Sequence, residues 1–280
     1  MKQNKSLTYK NAFVSYAVTG KGNTVVLLHG FGEDENIWNH LVGKLKTDFR
    51  VIVPDIPGSG KSTILKDGNN IVSIDDYAEV IIKILEKETV TNCTIIGHSM
   101  GGYITLAFAE KYPKLLNGFG LFHSSAFADT DERKQARLKS IKYLQKNDPV
   151  SFLKKSIPDL FTEQYKQKHR DVIEKLINGG KSFSSQALIQ HQQAMINRPD
   201  RIKVLQNAEV PILFIIGEKD KAILLQISLA QCHLPVKSHI HILKNSAHMG
   251  MLEEKKISTD AIISFLCNIW TSINVKLLPN

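Results

Sequence analysis

Residues 93–111 read Cys93-Thr-Ile-Ile-Gly97-His98-Ser99-Met100-Gly101-Gly-Tyr103-Ile-Thr-Leu-Ala-Phe-Ala-Glu-Lys111. The apolar run Cys93–Ile96 has the length of a buried strand. The spacing from Tyr103 to Lys111 is helical and stops before Pro113. Between them Gly97–Gly101 fits G-x-S-x-G, and a strand before with a helix after is the context that motif needs. So tight a turn leaves no room for side chains two positions before and two after Ser99. The strained backbone pushes the Ser99 hydroxyl out of the sheet's end, beside the free N–H groups and positive dipole end of the next helix.

The same alternation extends on both sides. Phe13–Val18 alternates apolar and polar residues, and Thr24–Leu28 is a continuous apolar run. Trp38–Leu45 has helical spacing, and Phe49–Val53 is a strand stopped by Pro54. Ser73 and Asp76 form a capping box for a helix through Ile81, Ile82 and Leu85. Gly118–Phe122 is the next strand. This order predicts an α/β fold: a mostly parallel sheet with helices on both faces.

From Asp129 to Asn197 only helical periodicity remains: Arg133–Lys146, Pro149–Lys155, Glu163–Asn178 and Ser184–Ile196, the last two separated by Gly179-Gly180. Strands return at Pro211–Ile216 and Ile240–Leu243, with helices over Leu224–Gln231 and Ile257–Trp270. The pattern predicts a core domain from residues 1–124 and 206–280, with an all-helical lid of residues 125–205 inserted in it.

A serine hydroxyl needs a base, and the base needs an orienting group. Asp220 follows the strand at Ile212–Ile216, and His248 follows the one at Ile240–Leu243. Both fall beyond the C-terminal ends of strands, where ligands bind in open α/β sheets. Ser99, Asp220 and His248 are therefore the candidate catalytic residues. The candidate oxyanion donors are the backbone N–H groups of Phe31, in the glycine-flanked loop His29-Gly30-Phe31-Gly32, and of Met100. Phe31, His123, Phe127 and Met249 are candidate substrate contacts. Trp38, Met100, Phe161 and Phe183 are further apolar side chains that an acyl pocket could use.

His29–Gly32, Asp55-Ile-Pro-Gly58-Ser-Gly60-Lys-Ser62, Gly97–Gly101, Gly217–Asp220 and His248 together resemble the α/β-hydrolase superfamily from about residue 12 to 270. They look most like its lid-bearing esterase, lactonase and cofactor-free haloperoxidase-like members. The resemblance implies a Ser–His–Asp triad, an oxyanion hole and no cofactor. Epoxide hydrolases and haloalkane dehalogenases carry Asp where this chain has Ser99. Carbon–carbon bond hydrolases share Ser99-Met-Gly-Gly102 but usually have a proline-containing loop where this chain has Phe31-Gly-Glu-Asp34.

The rest of the sequence excludes more than it assigns. The chain has 280 residues, 42% hydrophobic and 22% charged, with no repeat. Its longest strongly apolar stretch, Val210–Ile216, is far short of the roughly 20 residues of a membrane span. No apolar run marks a secretory signal in Met1–Phe13. Cys93, Cys232 and Cys267 read as small buried side chains in a reducing, cytoplasmic setting. Net charge is +9, and residues 131–181 hold 13 Lys/Arg against 7 Asp/Glu. These charges interleave at helical spacing, which reads as a solvated surface, and no nucleic-acid motif accompanies them. Gly58–Ser62 imitates a phosphate loop but lacks its first glycine, since Asp55 stands there. No metal-ligand spacing occurs. The expected activity is hydrolysis of a small to medium apolar ester, thioester or lactone by a monomer or weak homodimer, without nucleic acid or membrane. Carbon–carbon cleavage, acyl transfer and non-catalytic ligand binding remain open.

Overall fold

The computed structural model describes residues 2–66 and 72–276. Strands β1 (Gln3–Tyr9), β2 (Ala12–Thr19), β3 (Asn23–Leu28), β4 (Phe49–Pro54), β5 (Cys93–His98), β6 (Leu116–Phe122), β7 (Ile212–Gly217) and β8 (Ser238–Leu243) form one sheet. Their order is β1-β2-β4-β3-β5-β6-β7-β8. β2 is antiparallel to β1 and to β4, and every pairing from β4 onward is parallel. The central strands read as unbroken apolar runs because both faces are covered, and β5 and β7 are buried along their whole length.

One face packs on α1 (Asn39–Leu45) and on α12 (Lys255–Lys276), which follows the short α11 (Gly250–Glu253), with Trp38, Leu41, Phe265 and Leu266 against Val25, Leu27, Leu213 and Ile215. The other packs on α2 (Ile74–Lys87), α3 (Met100–Lys111) and α10 (Leu225–Cys232), with Tyr77, Ile81 and Phe108 in one cluster with Val26, Ile95 and Phe214. The Ser73–Asp76 capping box opens α2 in both directions: Ser73 Oγ accepts from Asp76 N–H and the Asp76 carboxylate accepts from Ser73 N–H. β1 is not foreshadowed by the sequence pattern. It is a half-exposed edge strand, and a turn through Lys10 and Asn11, both at positive φ, pairs it with β2.

Between β6 and β7 the chain is helical: α4 (Asp131–Leu144), α5 (Pro149–Ser156), α6 (Glu163–Lys168), α7 (Arg170–Gly179), α8 (Ser185–Ile196) and α9 (Ile202–Gln206). Thr130, Asp148, Thr162 and Ser184 cap four of these helices through side-chain oxygens. The helix expected over Glu163–Asn178 is two helices, because His169 (φ −132°, ψ 47°) leaves the helical region between α6 and α7.

α8 docks this insert on the core. Gln190 Nε2 donates to Leu65 O at 2.9 Å and His191 Nε2 to Pro57 O at 2.8 Å. Both acceptors lie in the turn after β4. The phosphate-loop lookalike is thus part of a docking turn, closed by the Asp55 carboxylate, which accepts from Glu35 and Lys61 N–H. Cys93 and Cys232 are buried as expected, but Cys267 is exposed, because it lies on the outward side of α12.

Candidate active site

β5 ends at His98 and α3 starts at Met100, so Ser99 makes the whole turn, at φ 49° and ψ −112°. That left-handed region is strained for any side chain except glycine. Close packing explains the flanking glycines. A Cβ on Gly97 would sit 2.2 Å from Gly101 O, and one on Gly101 would sit 2.4 Å from Leu28 O. Ser99 N–H donates to Phe122 O at 2.9 Å, and Ser124 Oγ donates to Ser99 O at 2.8 Å. The strain is therefore held by neighbours on β6 and just beyond it.

Ser99, His248 and Asp220 meet in one hydrogen-bonded line. Ser99 Oγ is 2.9 Å from His248 Nε2, and His248 Nδ1 is 2.7 Å from Asp220 Oδ2. A carboxylate only accepts, so Nδ1 carries the proton and Nε2 is free to accept from the hydroxyl. The other Asp220 oxygen accepts from Ala222 N–H at 2.7 Å and Ile223 N–H at 2.9 Å. Burial alone would raise the Asp220 pKa. The charge and hydrogen bond of His248, with help from His123 and these N–H groups, outweigh it and hold the value at about 2.

A second buried pair lies beside the first. His98 Nδ1 is 3.0 Å from Glu33 Oε2, and His98 Nε2 donates to the backbone carbonyl of His248 at 2.9 Å. Gly30 N–H also donates to Glu33 Oε2, at 2.7 Å. Burial opposes charge on both groups. Their mutual attraction and hydrogen bonds prevail, holding Glu33 below its usual pKa and His98 above. Glu33 thus links the Gly30–Gly32 loop to the serine turn and to the His248 backbone. Sequence reasoning assigns Glu33 no role. The acid three residues after Gly30 was the only local hint.

The N–H groups of Phe31 and Met100 make no hydrogen bond among the described residues. Phe31 and Ser99 face one cavity of about 130 Å³. The core lines it with Phe31, Glu33, His98, Ser99, Tyr103, Ala222, Ile223 and His248, and the helical insert adds Arg133, Arg137, Leu160 and Met195. His248 N–H donates to Leu160 O at 2.9 Å, so the insert also fixes the histidine loop.

Of the four expected substrate contacts, only Phe31 reaches this cavity. His123 is buried behind Asp220, 3.5 Å from its carboxylate, with its ring between the N–H groups of Gly217 and Gly250. Burial, opposed by Asp220 and aided by the charges of His248 and His98, keeps it neutral. Phe127 is half-buried and uses its carbonyl to accept from Arg198. Met249 is packed in the core cluster under α12. Trp38, Phe161 and Phe183 are core as well. Arg133, Arg137, Tyr103, Leu160, Met195, Ala222 and Ile223 were not anticipated. The two arginines belong to the segment read as solvated, yet they turn inward.

Among the described residues, no group of three His, Cys, Asp or Glu side chains could hold a metal ion, and no helix is long and apolar enough to cross a membrane.

Comparison with known proteins places this arrangement. A family model for the alpha/beta hydrolase fold matches residues 23–139. The chain spans roughly a third of the length of curated relatives that it matches at above 30% identity. One is pyrrolizixenacetamide deacetylase of Xenorhabdus hominickii, 36% identical over 107 residues, or 38% of this chain and 39% of that protein. Karrikin insensitive 2 receptor IA of Petunia hybrida is 24% identical, covering 92% of this chain and 96% of its own. An esterase from Thermogutta terrifontis, solved with malate bound, superposes with TM-score 0.89 at 26% identity over 95% of this chain and 99% of its own. With the sheet order, the serine at the β5–α3 turn and these matches agreeing, the chain has the α/β-hydrolase fold.

Proposed function

We propose that this chain is a serine hydrolase that cleaves small carboxylic esters, thioesters or lactones through an acyl-enzyme intermediate. The observation that carries this reading is the line from Ser99 Oγ to His248 to Asp220, with a free Nε2 acceptor and a buried carboxylate. Ser99 Oγ attacks the acyl carbon while His248 Nε2 takes its proton. Asp220 fixes the imidazole tautomer and stabilises the imidazolium. The carbonyl oxygen, now negative, accepts from Phe31 and Met100 N–H. Each such donor contributes on the order of 3 kcal/mol of transition-state stabilisation. The tetrahedral centre collapses, and His248 gives the proton to the leaving group. A water activated by His248 then releases the acid.

In this reading residues 125–205 act as a lid over the core, and the small cavity favours short acyl groups. The names of the Thermogutta esterase and the Xenorhabdus deacetylase support hydrolysis of an acyl bond. The unpaired cysteines support a reducing, cytoplasmic setting and the small cavity a small-molecule substrate, with the protein acting as a monomer or weak homodimer. A second reading, a non-catalytic ligand receptor, is favoured by the near full-length likeness to the Petunia receptor.

The test is hydrolysis of p-nitrophenyl esters from acetyl to dodecanoyl by the parent and by Ser99→Ala. Turnover is expected to be best with the shortest chains. Losing the nucleophile should lower kcat on the order of 10⁶-fold. Folded protein that turns over no ester, yet is stabilised by a ligand, would favour the receptor.

A further inference from the structure

We propose that the molecule bound beside Ser99 carries a carboxylate besides the bond to be cleaved, and that Arg133 and Arg137 hold it. This names the substrate of the hydrolase reading and rests on that reading only for the cleavage.

Arg133 and Arg137 stand one helical turn apart on α4 and line the same cavity as Ser99, His248 and Phe31. Three guanidiniums converge on one carboxylate there. Arg133 Nε donates to Asp129 Oδ1 at 3.1 Å, Arg137 Nε to Asp129 Oδ2 at 2.6 Å, and Arg198 Nη1 lies 2.8 Å from Asp129 Oδ1. Arg198 alone is enough to pair Asp129. It is buried, stacked 3.8 Å over the Tyr103 ring, and bonded to the carbonyls of Met195 and Phe127. Arg133 and Arg137 then add two positive charges that no further acid meets among the described residues. The carboxylate that lines the cavity, Glu33, is engaged by His98 and Gly30, and Asp220 behind His248 is engaged by that ring.

The remaining bonds of the two arginines aim them without neutralising them. Arg133 Nη1 donates to Ala222 O, in the loop that carries Asp220, and Arg137 Nη1 donates to Gln192 Oε1 at 3.1 Å. The Nη2 group of each makes no hydrogen bond among the described residues. The Arg133 side chain keeps 38% and the Arg137 side chain 15% of its accessible surface. Two like charges held side by side repel each other, and more strongly in a partly dry site. An anion between them removes that repulsion, and the planar guanidinium fork matches a carboxylate. In a cavity of about 130 Å³ the acid must lie only a few bonds from the reacting carbonyl. Half-esters of short dicarboxylic acids, and lactones bearing a carboxylate, have that shape.

The experiment uses the full chain and a matched pair: mono-p-nitrophenyl glutarate and its neutral methyl ester, methyl p-nitrophenyl glutarate. The parent is expected to favour the acid by about tenfold or more in kcat/KM, a typical gain from a charge-assisted contact. Added salt should shrink the ratio, and Arg133→Met or Arg137→Met should each bring it toward one. A parent ratio of one or below overturns the proposal, with or without folded variants. A preference that survives both substitutions overturns the assignment to these residues. Calorimetric titration of Ser99→Ala with monomethyl glutarate and dimethyl glutarate needs no turnover. Tighter binding of the acid with neither p-nitrophenyl ester cleaved would uphold the anion site and remove the hydrolase reading. Efficient cleavage of the neutral ester with no preference for the acid would do the reverse.

Discussion

Two buried histidine–carboxylate pairs lie side by side at the end of the sheet, the rings of His248 and His98 centred 5.1 Å apart. His248 meets Asp220 at 2.7 Å and His98 meets Glu33 at 3.0 Å, so the inner halves of the two pairs are nearly the same. They differ at the other ring nitrogen. Nε2 of His248 faces the Ser99 hydroxyl and the cavity, whereas Nε2 of His98 is taken by the carbonyl of His248 itself. A proton can therefore enter and leave one ring, and the other is closed. An acid beside a histidine is not in itself a catalytic unit; what the far nitrogen meets decides. In the proposed reaction the first pair moves the proton, and the second holds the loop and backbone that aim the first.

This contrast can be broken in order of expected effect. Asp220→Asn keeps the shape but lets His248 adopt the wrong tautomer, so kcat should fall about 10⁴-fold while the fold survives. Steady-state kinetics with a short p-nitrophenyl ester, alongside circular dichroism, reads both. Glu33→Gln leaves the Ser99–His248–Asp220 line intact and loosens the Gly30 loop that carries the Phe31 N–H. The loss should be smaller, up to about 10²-fold, and should fall on kcat rather than KM. Equal losses in the two variants would erase the distinction drawn between the pairs.

The smallest effect is in stability. His98 has its pKa raised in the folded state, so above its ordinary 6.5 the folded chain keeps a proton that the unfolded chain releases, and stability falls as pH rises. Glu33 has its pKa lowered, so below its ordinary 4.5 the unfolded chain takes up a proton first, and stability falls as pH drops. The pair's contribution is therefore greatest between those values. The Tm difference between the parent and Glu33→Gln, followed from pH 4 to 9, should peak there and shrink on both sides. Each kcal/mol corresponds to about 2–4 °C in a chain of this size. A difference that does not vary with pH would contradict the ion pair.

What could be read from the sequence divides along a physical line. Gly97 and Gly101 announce themselves because a Cβ at either would strike backbone, and Ser73–Asp76 because a capping box is local. Ser99 is legible from its glycine-flanked turn, and Asp220 and His248 from their places beyond strand ends. Glu33 was missed because its partner, His98, is 65 residues away, and neither residue marks the other locally. Arg133 and Arg137 were misread for a related reason. An i, i+4 pair of arginines on a polar helix looks the same whether it faces water or a cavity, and only the packing of α4 against α8 decides. His169 has no glycine or proline to signal the break between α6 and α7. His123 and Met249 sit beside the motifs in sequence but behind them in space.

The central claim is that the His248–Asp220 pair makes Ser99 a nucleophile. The most direct measurement is mass-spectrometric mapping of a fluorophosphonate probe, which bonds to an activated serine oxygen as fluoride leaves. The account predicts one adduct, on the peptide containing Ser99, absent from Ser99→Ala and strongly slowed in His248→Ala. No adduct on the folded parent, or an adduct that persists in Ser99→Ala, would contradict it.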